Sequence, residues 1–109
     1  MNKIRYEYNG VNYVLQYTRA STALMETALD FKVTKMEDMV VSSVQKLFHG
    51  AFIANHSEVS EELIDEMYGL FSDKKGLFVA LSKMYAEVIN SLYDEPEQGQ
   101  KNITWEMAM

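Results

Sequence analysis

Two carboxylate pairs stand out among the side chains that could do chemistry. Glu61 and Asp65, and Glu62 and Glu66, are each one helical turn apart. Such pairs serve acid–base catalysis when burial raises the pKa of one member. On a short amphipathic helix, however, the same spacing describes a solvated acidic face. His49 and His56 are seven residues apart, and Glu58 is the one obvious further ligand. That arrangement has no zinc-site spacing, and a ring at a helix end, where a cation suits the dipole, accounts for it. There is no G-x-S-x-G, phosphate loop, H-E-x-x-H or EF-hand loop. No catalytic, cofactor or metal site is assigned, and an enzyme is not expected.

Binding chemistry is better represented. Ile103, Trp105 and Met107 alternate with polar or small residues at the end of the chain, and Trp105 is the only tryptophan. Held on a polar tether, they read either as an anchor for a groove on a partner or sister copy, or as a tail folded back on its own domain or frayed. Phe48 and Phe52, one turn apart on an apolar stripe, complete the candidate partner-binding set. Eight methionines are many for 109 residues. Met36, Met39, Met67 and Met84 fall on helical apolar faces, where they fill a core or furnish an adaptable groove.

The elements that must carry these residues follow from periodicity. Residues 2–17 predict a β-hairpin, because Asn9-Gly10 suits a type I′ turn with positive φ at both central positions. That turn pairs Tyr8 with Val11, Tyr6 with Tyr13 and Ile4 with Leu15 on one face. A slip of one residue would turn the tyrosines to water. A two-stranded hairpin is marginal alone, so its tyrosine face must lie on helices.

Four helices are expected, at about 19–31, 35–54, 60–71 and 74–93. Ser21 or Thr22 can cap the first, with Leu24, Met25, Ala28 and Leu29 inward. The central one carries Met36, Met39, Val40, Val44, Leu47, Phe48, Ala51 and Phe52 on one face, behind a Thr34/Glu37 capping box. At about 19 residues it would span roughly 28 Å. Gly50, Ala51 and Ala54 permit close packing near its end. Ser60 caps the third helix and Ser72-Asp73 the fourth. Their inward sets are Leu63, Ile64, Met67, Tyr68 and Phe71, then Leu77, Phe78, Leu81, Met84, Tyr85, Val88, Ile89 and Leu92. Residues 94–102 hold the only proline and no apolar side chain, and read as a linker. The expectation is an α+β fold: a single globular domain at 1–93, with an N-terminal hairpin packed on about four helices, then a polar linker and flexible C-terminal tail at 94–109.

Composition sets the outer bounds. A chain of 109 residues can bury roughly 60–70% of its unfolded surface, enough for one domain without staples. The absence of cysteine excludes disulfides and thiolate metal sites and fits a reducing cytoplasm. A net charge of −6 argues against nucleic acid. Segregation is modest: residues 57–73 hold six acidic side chains and no base, while Lys3, Arg5 and Arg19 outnumber Glu7 near the start. No run approaches the roughly 18 apolar residues of a membrane span, and no signal peptide is seen.

Several motifs taken together resemble a known family. They are Tyr6-Glu7-Tyr8-Asn9-Gly10 and Tyr13-Val14-Leu15 in the hairpin, Leu47-Phe48-His49-Gly50-Ala51-Phe52, Leu81-Ser82-Lys83-Met84-Tyr85, and a tether ending in Ile103-Thr104-Trp105. The chain is similar to the short tail assembly chaperones of long-tailed (siphovirus-like) bacteriophages and prophages. The resemblance implies a non-enzymatic role: binding the tape measure protein and keeping it soluble while tail tube subunits assemble around it. It also implies residence in the host cytoplasm and absence from the mature virion. The tape measure and tail tube proteins are the implied partners. Self-association is compatible with several copies coating one long partner. The alternative reading is a small acidic adaptor or regulatory protein-binding module of a phage or prophage.

Overall fold

The structure is a computed structural model that describes residues 2–32, 34, 40–94 and 103–108. It is α+β: strands β1 (Ile4–Tyr8) and β2 (Val11–Leu15), then helices α1 (Arg19–Ala28), α2 (Val40–Gly50), α3 (Glu61–Leu70) and α4 (Lys74–Ser91). The expected helix start at 35–39, with Met36, Glu37 and Met39, lies outside the described residues, as does most of the expected linker, 95–102.

The hairpin has the register its turn demands. Asn9 and Gly10 sit at φ 50° and 80°, and Ile4 faces Leu15, Tyr6 faces Tyr13 and Tyr8 faces Val11. Tyr6 and Tyr13 stack with centroids 5.2 Å apart, and Tyr6 meets Phe71 edge-on at 4.9 Å. The Tyr6 hydroxyl also donates to Met67 Sδ of α3 at 3.2 Å, so the tyrosine face lies against α3 and the residue that ends it, which supply the burial that two strands alone lack.

Helix termini show where side-chain chemistry decided a boundary. Ser60 and Asp73 cap α3 and α4 as expected, accepting from the N–H of Leu63 and Gly76. For α1 the cap is Thr18, in a reciprocal box with Ser21, so neither Ser21 nor Thr22 is the N-cap. The shift turns the helix: Ser21, Thr22 and Met25 are buried, whereas Leu24 and Ala28 face outward. This helix stops at Ala28, short of residue 31. Asp30 adopts a left-handed backbone (φ 52°), and the N–H of Phe31 donates back to the Met25 carbonyl at 2.9 Å. Phe31 is thereby delivered into the core, edge-on to Tyr85.

Four residues also separate the expected and observed ends of the central helix. Beyond Gly50 the chain closes in i→i+3 bonds, from the N–H groups of Ala51, Phe52 and Ile53 to the carbonyls of Phe48, His49 and Gly50. Tightening releases the Leu47 carbonyl, which accepts from the buried Tyr17 hydroxyl. Gln16 N–H donates to the Ala51 carbonyl at 3.2 Å, tying the end of β2 to the same turn. Ala51 is buried here, and a Cβ on Gly50 would overlap the buried Met25 side chain, whereas Ala54 is exposed.

One core joins all six elements. It includes Tyr13, Leu15, Tyr17, Met25, Phe31, Leu47, Phe48, Phe52, Ile64, Met67, Leu81, Met84, Tyr85 and Val88. α4 packs against α1 and α2, and α3 packs on α2. Leu92, expected inward, lies past the end of α4 and is exposed.

Candidate functional site

Among the described residues, the carboxylates and histidines singled out by their spacing lie apart from one another, save for the His49–Asp65 contact. Glu61, Glu62, Asp65 and Glu66 are all exposed on α3 rather than sheltered in a cleft. Their hydrogen bonds are structural: Asp65 Oδ1 lies 2.8 Å from His49 Nε2, and Glu66 Oε2 accepts from the Tyr8 hydroxyl at 2.7 Å. The latter bond leads the causes that raise the Tyr8 phenol above its usual value. His49 thus bridges α2 to α3. His56 is turned to the hairpin, its Nε2 accepting from Val14 N–H at 2.9 Å. Glu58 is exposed. Among the described residues no three His, Asp or Glu side chains converge as metal ligands.

Apolar surface is the distinctive feature instead. Between α2 and α3 lies an open groove of about 520 Å³, lined by Val41, Val44, Phe48 and Tyr68 together with Gln45, His49, Asp65 and Gly69. Its floor is an aromatic cluster in which Phe48 meets Phe52, Tyr68 and Phe71 edge-on at 5.2, 5.2 and 5.7 Å. Val41 is 75% exposed on one wall. Gly69 keeps the opposite wall low, since a Cβ there would meet nothing within 4 Å.

The five residues assigned to partner binding separate into two groups. Phe48 and Phe52 are each 1% exposed, so neither presents a free surface to a partner; the core claims both rings. Phe48 still lines the groove floor, whereas Phe52 lies deeper, against Tyr13 and His56. Ile103, Trp105 and Met107 are 91%, 85% and 78% exposed, on a segment with no helix or strand of its own. Structure brings these three to no other candidate residue.

Sequence reasoning missed the groove walls. Val41 is an apolar residue off the main stripe of its helix, and Gly69 a glycine inside a helix, and each was a legible sign of an unfilled face. No described helix is long and apolar enough to cross a membrane.

Comparison with known proteins places the chain in a family. A family model described as Domain of unknown function (DUF5055) covers residues 1–109. No curated protein and no solved structure matches the chain.

Proposed function

We propose, from the premise that the chain belongs to the DUF5055 family, that it is a phage tail assembly chaperone. In this reading it binds the tape measure protein in the host cytoplasm and keeps it soluble while tail tube subunits polymerise around it. The motifs of the hairpin and of α2 and α4 support the reading by resemblance. The single observation that carries it physically is the open apolar groove between α2 and α3.

An amphipathic client helix docks in such a groove by anchors at i, i+3 and i+4 spacing, exchanging contact with its own kind for contact with Val41, Val44 and Tyr68. The rim carries Asp65 and, on the same helix, exposed Glu61, Glu62 and Glu66. Negative charge around an apolar strip favours clients flanked by basic residues and keeps the complex dispersed through like-charge repulsion. No covalent step is involved. Binding and release suffice, because polymerising tube subunits compete for the same client surface.

The test is co-expression of the tagged full chain with the tape measure protein of the same phage. The tape measure protein should remain in the supernatant and co-purify, and Val41→Asp should return it to the pellet. Equal pelleting with and without the chain would remove the proposal. Capture of one globular protein at fixed stoichiometry would move the assignment to the adaptor reading.

A further inference from the structure

The two edges of the hairpin are treated differently. In a two-residue-turn hairpin the backbone groups of Val14 and Gln16 point away from β1, and those of Lys3, Arg5 and Glu7 away from β2. On the β2 side three of these groups have partners: Val14 N–H in His56, Val14 C=O in Asn55 Nδ2 at 3.2 Å, and Gln16 N–H in the Ala51 carbonyl. On the β1 side, among the described residues, no hydrogen bond reaches the outward backbone of Arg5 or Glu7. Beside that edge lies a second groove of about 250 Å³, lined mainly by Tyr6, Tyr8, Met67, Leu70 and Phe71, with Glu7 and Ser72 also on its lining and Leu70 65% exposed. An open strand beside an apolar groove is a template for strand addition.

The chain also carries a segment of matching length and pattern. Residues 103–108 read Ile-Thr-Trp-Glu-Met-Ala, a two-residue alternation of large apolar with polar or small side chains, and the large apolar ones are exposed in the chain taken singly. We infer that segment 103–108 of one copy adds as a third, antiparallel strand to the outer edge of β1 in a second copy. In the best register Trp105 stands opposite Tyr6, Ile103 opposite Tyr8 and Met107 opposite Ile4. Those side chains cover the groove at Leu70 and Phe71. On the outer face Glu106 stands opposite Arg5, an opposite-charge pair, and Thr104 opposite Glu7. A slip of one residue would put the apolar set in water, and a slip of two towards the turn would set Glu106 against Glu7. The occupant is a second copy because the tail of the single chain leaves its own edge uncovered. The inference goes beyond the client reading and stands without it.

The experiment uses the full chain. Light scattering across a dilution series should give a mass above that of one chain at high concentration, falling on dilution. Emission from Trp105, the only tryptophan, should move from a buried to a water-exposed signature in step. Trp105→Ala should weaken assembly about tenfold or more. Arg5→Glu and Glu106→Arg should each weaken it about two- to fivefold, and the double variant should restore it. Both charged positions are on the solvent side, so folding is preserved. A chain that stays single at every concentration overturns the inference, whether Trp105 emits as exposed or as buried on its own domain. So does assembly indifferent to Trp105→Ala, or a double variant no better than the singles.

Discussion

The imidazole Nε2 of His56 accepts the backbone N–H of Val14 at 2.9 Å, across 42 residues of sequence. A side chain thereby performs the task of a third strand, closing the β2 edge that would otherwise offer itself for pairing. His56→Ala removes the acceptor and leaves a half-buried donor unpaired, which costs about 1–3 kcal/mol. Hydrogen exchange at the Val14 amide is the specific readout: protection should fall at that amide beyond the drop shared by the whole domain. Unchanged relative protection would show that the ring does not guard the edge.

Alkaline pH should unfold the domain through its tyrosines. Burial pushes the Tyr17 phenol far up, and Tyr6 and Tyr85 are raised by the same cause. Unfolded tyrosines ionise near pH 10, so above that pH the unfolded chain binds fewer protons than the folded one. Stability from this source is complete below about pH 10 and falls as pH rises, by up to about 1.4 kcal/mol per pH unit for Tyr17 and less for the half-exposed Tyr6. Urea midpoints measured from about pH 9 to about pH 12 should decline, and Tyr17→Phe should flatten the decline. A level profile would contradict it.

Two helical glycines should respond in opposite directions to alanine. At Gly69 a Cβ meets open space, so Gly69→Ala should stabilise α3 by about 0.5–1 kcal/mol. At Gly50 it would overlap the side chain of the fully buried Met25, which must repack, so Gly50→Ala should cost about 1–3 kcal/mol. Denaturant midpoints of the two variants give the comparison, and the reverse order would refute the packing described at Gly50.

Within the client groove, stability and binding should separate. Phe48→Ala opens a cavity under three aromatic neighbours and should cost about 3–5 kcal/mol. Val41→Ser, on the exposed wall, should change stability by no more than about 0.5 kcal/mol while weakening client capture. Thermal melts alongside co-purification yields would tell them apart; a Val41→Ser chain that captures its client normally would remove Val41 from the binding surface.

Local chemistry was legible where it was sufficient. Asn9-Gly10 admits one turn, and that turn sets every cross-strand pair from Tyr8–Val11 to Ile4–Leu15. Ser60 and Asp73 cap by contacts three residues away, well within what a sequence displays. Thr18 lacks the usual signature for a reason of the same scale: its box partner is Ser21 rather than Glu or Gln.

By itself the sequence determined the α+β order, the hairpin register and, Leu92 apart, the inward faces of α3 and α4. Only the tertiary structure decided where the central helix stops, because its end depends on Tyr17 reaching the Leu47 carbonyl and Gln16 reaching that of Ala51. It alone decided that Phe48 and Phe52 are core while Val41 borders a groove, since a stripe of apolar residues states that a face must be covered but not by what. And it alone separated the closed β2 edge from the open β1 edge, a difference made by His56 and Asn55, some 40 residues along the chain from the strand they seal. Periodicity is a local property of a chain; burial and edge closure are set by which distant segments meet, and that is resolved only when the chain has folded.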